Sequence, residues 1–473
     1  VKKEMTALTI DGKRVEVEEG TTVLAAAERL GIHVPRFCYH KCLPVVGSCR
    51  LCFVEIEGAK NPVISCKEPA KDGMVVWTNS ELARNARADT LEFLLKNHPL
   101  DCPVCDQSGE CDLQDYYFEH SLRRSRLCDP KVSKVKASRI GPQVFLDAER
   151  CVLCTRCVRF CDEIAGVHEI GVFERGEVTT IGVLPGKELS NPYSLMTVDL
   201  CPVGALTSAD FRFKKRVWFL KKSPSVCVGC STVCSVWIDH EGGTPYRVRP
   251  RENHKVNGCL MCDEGRMTYK RALPEGRVLS PMIKRGGEWT EVGWPEATGF
   301  VAGLLKSGSA SEVVGVLSAV SSNEDNEAMA SLFNSIGAGR IFYSGRDPDP
   351  SFKDGIIRDS DRNPNSAGVA RFANKRLSDL RRGAGYIVLD EACEADLAAV
   401  RNSDPAWVLS IAASSDGLLE SADALLPKCS WLETGGTYVN RMGVEQRALG
   451  VFAPKGASME AAEIARLILE ACG

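Results

Sequence analysis

The stretch CVLCTRCVRFC sets four thiols at Cys151, Cys154, Cys157 and Cys161, separated by two, two and three residues. Close, regular thiolates suit soft metal centres, and the two that use this chemistry are iron-sulfur clusters and zinc. Cys151, Cys154 and Cys157 can take neighbouring corners of one four-iron cluster. The fourth corner has two candidates: Cys161, followed by Asp162, and Cys201, forty residues further on in CPVGAL and followed by Pro202. Where cysteines are spaced this way, the fourth precedes proline and serves a second cluster with its own triad. No second triad of that spacing follows, so the residues leave the choice open.

Three further groups carry the same kind of chemistry. Cys38, Cys49, Cys52 and Cys66, with ten, two and thirteen intervening residues, resemble the plant-type 2Fe-2S arrangement, in which a long loop wraps the cluster and a last ligand arrives from a later strand. Gly47 lets that loop turn, and Cys42 inside it is expected to be a bystander. His98, Cys102, Cys105 and Cys111 read H-x3-C-x2-C-x5-C. Neutral imidazole can fill the corner that three thiolates leave open, and it removes one negative charge, which raises the potential. Zinc with three thiolates and one imidazole has the same stoichiometry, so spacing leaves the metal open. Cys227, Cys230, Cys234 and Cys262 read C-x2-C-x3-C-x27-C, with Cys259 spare.

Of 22 cysteines, 19 lie in the first 262 positions, which gives the 473-residue chain two chemical halves. A chain of this length, about three domains by the usual scale of roughly 100–200 residues each, needs no disulfide staples. Dense thiols in it therefore read as metal ligands. A formal charge of -3 gives no reason to expect nucleic acid or an anionic membrane surface. No apolar run approaches the ~18–20 residues of a membrane span, and VKKEMTALTI lacks the apolar core of a signal peptide, so a soluble, cytosolic protein is expected.

The elements that must position these groups follow from periodicity. Residues 6–18 alternate apolar and polar around Asp11-Gly12, a hairpin turn; TTVLAAAERLG has helical spacing, so the opening is ββα. Residues 81–97 form an amphipathic helix that stops at His98, because Pro99 biases the preceding residue away from helix. The basic, aromatic segment 211–225 is expected to be a linker packing on its neighbours. Beyond about residue 270, EVVGVLSAV, RIFYSG, YIVLD and WVLSIAA read as strands. SSNEDNEAMASLFNSIG reads as a helix with a Ser321–Glu324 capping box, an apolar face of Ala328, Met329, Leu332, Phe333 and Ile336, and Gly337 as its stop. Strand and helix alternate there as in a doubly wound α/β layer, without a Gly-rich phosphate loop.

Taken in order, the four groups, with FCYH, CVLCTRCVRF, CPVGAL and CDEGR between and around them, resemble the family of large iron-sulfur subunits, of the 75 kDa type, of respiratory complex I, NADH:quinone oxidoreductase. The last group is similar to the 4Fe-4S domain that precedes the pterin-binding body of molybdopterin oxidoreductases. ADALLPKCSWLETGGTYVNRMGVEQRA (422–448) resembles a segment of that body. The resemblance implies that Cys201 completes the cluster with Cys151, Cys154 and Cys157, leaving Cys161 surplus. It implies one 2Fe-2S cluster on Cys38, Cys49, Cys52 and Cys66. It also implies three 4Fe-4S clusters: on His98, Cys102, Cys105 and Cys111; on the Cys151 group; and on Cys227, Cys230, Cys234 and Cys262.

The expected fold is an α+β N-terminal region, a β-grasp 2Fe-2S domain (1–80) followed by cubane segments at 81–120, 121–222 and 223–275. A reduced α/β molybdopterin-oxidoreductase-like domain without pterin (276–473) completes it. In that body Cys393 and Cys429 stand in the wrong contexts for a metal ligand, Ser344 is the one remaining candidate, and Glu264 replaces the lysine that often links cluster and pterin in active relatives. No residue here offers a general base, nucleophile or hydride site. Oxidation of NADH is therefore expected of a flavin-bearing partner, with a small 2Fe-2S subunit and a downstream iron-sulfur subunit as further partners. Membrane association is expected only peripherally, on the cytoplasmic face, through other subunits. The rival readings are an electron-transfer subunit of a soluble NAD-linked hydrogenase or formate dehydrogenase, and a zinc-stabilised assembly protein.

Overall fold

The computed structural model describes residues 4–121, 124–390, 392–414 and 421–473. The chain divides into two compact units, Val1–Phe219 and Leu220–Gly473.

In the first unit, β1 (Met5–Ile10) and β2 (Lys13–Glu18) pair antiparallel with Ile10 opposite Lys13. Only Asp11 and Gly12 remain for the turn, and both have positive φ, 47° and 78°, as a two-residue turn that matches strand twist requires. Thr22 caps α1 (Val23–Arg29) by accepting the Ala25 N–H. With β3 (Phe53–Ile56), β4 (Val63–Ile64) and β5 (Val75–Trp77), the strands form one sheet in the order β2-β1-β5-β3-β4, with β1 and β5 parallel. Leu8, Ile10, Val17, Leu24, Val54 and Val76 fill its core, and Cys52 and Cys66 belong to that core. The expected ββα opening and β-grasp layout are present.

Ser80 caps α2 (Glu81–Asn97) through the Ala83 N–H, and the helix ends at His98, whose ψ of 130° is extended as its proline neighbour demands. A second helix, α3 (Asp112–His120), begins immediately after Cys111. Phe37, Leu51, Leu91, Leu113, Tyr116, Val152, Val203 and Ala205 form one apolar core together with Cys38, Cys111 and Cys154.

The second unit opens with an antiparallel sheet of Lys221–Val226, Ser235–Glu241 and Thr244–Pro250. The first of these strands lies where a linker was expected. It is an edge strand, so its lysines face outward and Pro224 is tolerated. A seven-stranded sheet follows, in the order Glu288–Glu291, Met282–Arg285, Ala424–Pro427, Trp407–Ala412, Gly385–Leu389, Val313–Ser318, Arg340–Ser344, with the last five parallel. Helices Trp294–Lys306, Asn323–Ser335 and Ala461–Cys472 bury Val301, Met329, Phe333 and Ile464 on one face. Helix Glu394–Asn402 packs Leu397 and Val400 on the other. Helix Asn323–Ser335 is capped by Ser322, which accepts the Asp325 N–H, and not by Ser321, whose hydroxyl binds Asp390. Among the described residues, no helix is long and apolar enough to cross a membrane.

Candidate metal centres

The loop that carries Cys38, Cys49 and Cys52 turns through Gly47 (φ +70°) and Arg50 (φ 55°), while Cys66 stands just past β4. Cys38, Cys52 and Cys66 are buried and Cys49 is half-buried. Backbone donors point at sulfur: the Phe37 N–H binds Cys49 Sγ at 3.4 Å and the Cys49 N–H binds Cys38 Sγ at 3.5 Å. The thiols hydrogen-bond in two pairs, Cys38 with Cys49 and Cys52 with Cys66. This pulls Cys38 down to about 5 and Cys52 to about 7, and pushes their partners up. Cys38 also acts electrostatically on Cys52 and Cys66, so all four sulfurs share one neighbourhood.

His98 sits where α2 stops. Burial pushes its pKa down to about 4, with Lys131 and Arg150 adding to the effect. The ring is therefore neutral near pH 7, with a lone pair available to a metal. His98, Cys102 and Cys111 line a cavity of about 640 Å³ whose apolar wall includes Leu95, Leu100, Leu113 and Phe118. Cys105 does not line this cavity, although it acts electrostatically with Cys102 and Cys111. Its sulfur lies against the CPVGAL turn: a Cβ on Gly204 would stand 2.2 Å from Cys105 Sγ. That approach was not foreseen from the sequence, and the glycine inside the motif is its only trace.

Cys151, Cys154, Cys157 and Cys201 line one narrow cavity of about 20 Å³, walled by Leu146, Val152, Ile181, Val203, Ala205 and Leu206. Sheet pairing brings the two segments together. Strand Val144–Leu146 runs into the triad, strand Leu206–Ser208 leaves CPVGA, and the two pair with Leu146 opposite Leu206. Leu153 and Thr155 take positive φ, 51° and 58°, which curls the loop so that the Leu153 N–H meets Cys151 Sγ at 3.4 Å. Burial pushes Cys151 to about 12 and Cys154 to about 11. Cys161 does not line this cavity; it is wholly buried one turn further on, beside the Asn191 side chain. Arg156 and Arg159, between the triad and Cys161, reach back to the carbonyls of Tyr39 and Cys38.

In the second unit, Cys227, Cys230, Cys234 and Cys262 line a cavity of about 140 Å³. Gly265 gives its N–H to Cys262 Sγ at 3.3 Å, and a Cβ there would stand 3.0 Å from Cys227 Sγ. Three cations that sequence reasoning missed, Arg271, Arg346 and Arg362, also line the cavity, and Glu264 pairs with Arg362. They come from segments with no cysteine, so spacing carries no signal for them.

Among the described residues, no three His, Cys, Asp or Glu side chains form a group that could hold a single metal ion. Thiols spread around a cavity, with backbone N–H groups aimed at sulfur, are the donor set of a cluster, whose iron atoms each take separate ligands.

Comparison with known proteins bears on the same residues. Residues 3–81 match a 2Fe-2S iron-sulfur cluster binding domain, and residues 87–126 match the NADH-ubiquinone oxidoreductase-G iron-sulfur binding region. Residues 141–207 match the ferredoxin-like domain of NADH-quinone oxidoreductase subunit 3. Residues 220–273 match the molybdopterin oxidoreductase Fe4S4 domain, and residues 277–381 and 373–471 match molybdopterin oxidoreductase. The NADH dehydrogenase [ubiquinone] iron-sulfur protein 1 of Solanum tuberosum is 41% identical over 72% of this chain and 46% of its own length. The NADH-ubiquinone oxidoreductase 75 kDa subunit of Reclinomonas americana is 38% identical over 80% and 55%. The chain belongs to the 75 kDa iron-sulfur subunit family of NADH:quinone oxidoreductase.

Its architecture is that of the family's ferredoxin-type cluster domains followed by a molybdopterin-oxidoreductase-like α/β domain. The chain spans about half the length of the curated relatives it matches. A chain of an NAD+-reducing [NiFe]-hydrogenase aligns at 30% identity over 45% of this chain and 91% of its own, with a TM-score of 0.41, too low to argue from.

Proposed function

We propose that this chain carries electrons within an NADH-oxidising complex, from a flavin-bearing subunit toward quinone. The observation that carries the reading is the shared apolar core of the first unit. Phe37, Leu51, Leu91, Tyr116, Val152 and Val203 pack together with cysteines from three ligand groups: Cys38, Cys111 and Cys154. Such packing keeps water out and holds the groups in fixed relation, which is what a relay requires of its protein. The names of the relatives, which refer to NADH and ubiquinone, support the choice of donor and acceptor.

In this reading Cys38, Cys49, Cys52 and Cys66 hold a 2Fe-2S cluster. His98, Cys102, Cys105 and Cys111; Cys151, Cys154, Cys157 and Cys201; and Cys227, Cys230, Cys234 and Cys262 each hold a 4Fe-4S cluster. Each bound cluster supplies reversible one-electron transfer. The chain's own residues set where that happens: backbone N–H groups stabilise the thiolates, neutral His98 removes one negative charge, and the arginines of the second unit face the fourth thiol group. The segments 1–80, 81–120, 121–222 and 223–275 are the cluster-bearing domains, and 276–473 is a scaffold that binds no molybdopterin. The partners are a flavin-bearing subunit, a small 2Fe-2S subunit and a downstream iron-sulfur subunit, on the cytoplasmic face of a membrane.

Anaerobic isolation of the native assembly with identification of its subunits tests this. The expected result is a flavin-bearing NADH-oxidising subunit and further iron-sulfur subunits in stoichiometric amounts. A hydrogenase or molybdenum subunit in their place, or a zinc-loaded chain without redox partners, overturns it.

A further inference from the structure

A second cavity, of about 70 Å³, lies in the α/β body at the carboxyl ends of the five parallel strands. Val320 and Ser321 reach it beyond Val313–Ser318, Arg346 beyond Arg340–Ser344, and Asp390 beyond Gly385–Leu389. Ala413 follows Trp407–Ala412, and Lys428, Ser430 and Trp431 follow Ala424–Pro427. This end of an open parallel sheet is where α/β folds bind ligands.

Its wall is rich in donors. Ser430 is 4% exposed, and its Oγ has no hydrogen-bond partner. Trp431 Nε1, which can only donate, is also buried without a partner. Buried polar atoms left unpaired are rare in native proteins. Arg271 and Arg346 line the cavity, and Arg346 Nη1 is fixed by the carbonyls of Val228 at 2.9 Å and Arg362 at 3.1 Å. The carboxylate on the wall, Asp390, is already engaged: it accepts from Ser321 Oγ and the Ala413 N–H and pairs with Lys428 at 3.0 Å. Lys428 also pairs with Asp325 at 2.9 Å. The three cations Arg271, Arg346 and Lys428 thus outnumber the two carboxylates. At about 10–15 Å³ of such volume per water, the cavity takes one small tetrahedral ion and has no room for a dinucleotide.

We infer that this cavity is a binding site for a phosphate-type oxyanion, with Ser430 Oγ and Trp431 Nε1 donating to its oxygens and Arg271 and Arg346 balancing its charge. The ligand is inorganic phosphate or the phosphate group of a small monoester. The inference is independent of the electron-transfer reading.

The test is equilibrium binding of radiolabelled inorganic phosphate to the cluster-loaded full chain, in chloride buffer of constant ionic strength. Wild type is compared with Ser430→Ala and Trp431→Phe. The expected result is one saturable site per chain that each substitution weakens by about tenfold or more, with iron content unchanged. Competition with glycerol 1-phosphate separates the sources: displacement assigns the site to a monoester's phosphate, and its failure assigns it to the free ion. No saturable binding, or equal binding by wild type and both variants, overturns the inference.

Discussion

At the residue scale, charge on the ligands decides how each centre behaves. His98 is buried among cations that keep its ring neutral. His98→Cys exchanges that ring for a thiolate, and the added negative charge favours the oxidised cluster. Redox-titrated paramagnetic resonance should show one cubane signal moved to lower potential, on the order of 100 mV, with the others unmoved. Cys161 and Cys201 give a second test. Cys201 shares a cavity with Cys151, Cys154 and Cys157, whereas Cys161 is packed elsewhere beside Asn191. Cys161→Ala should keep all iron and cost about 1–2 kcal/mol of stability through lost packing; Cys201→Ala should remove or convert one cluster. The reverse pattern in iron analysis would reassign the fourth ligand. All the proposed ligands were legible in the sequence, because metal ligation constrains spacing along the chain. Arg271, Arg346 and Arg362 were not, because they reach the fourth group only after the α/β body folds.

At the scale of elements, short-range signals were read well and ambiguous ones were not. The Asp11-Gly12 hairpin and the stop of α2 before Pro99 follow from local backbone preference. The cap at Ser322 was misplaced by one residue, because Ser321 and Ser322 are each followed three residues later by an acid. Strand Lys221–Val226 was read as linker, because an edge strand can be basic on its open side. Gly204 shows how one small residue links two centres, since it admits Cys105 against the CPVGAL turn. Gly204→Ala should lower iron content by the loss of at least one cubane. Gly299→Ala, on the exposed side of helix Trp294–Lys306 with open space around it, should leave iron unchanged and stabilise the chain by up to about 1 kcal/mol. Equal iron in the two variants would remove the steric account.

At the scale of the whole molecule, the two halves foreseen from cysteine distribution correspond to different tasks: most proposed ligands lie in the first unit, and a continuous sheet core fills the second. The body is held partly by Lys428, buried between Asp325 and Asp390. Removing one partner of a buried ionic group leaves the others uncompensated, so Lys428→Met should cost about 3–5 kcal/mol in chemical denaturation. A neutral outcome would mean that the pairs contribute nothing to the scaffold. The central claim is that the chain is an iron-sulfur electron carrier with four centres. Its most direct test is iron, zinc and sulfide analysis of the anaerobically prepared chain, combined with a paramagnetic-resonance redox titration. The account predicts about 14 iron atoms per chain, one 2Fe-2S and three 4Fe-4S signals on reduction, and no stoichiometric zinc or molybdenum. Stoichiometric zinc with no reducible centre would contradict it.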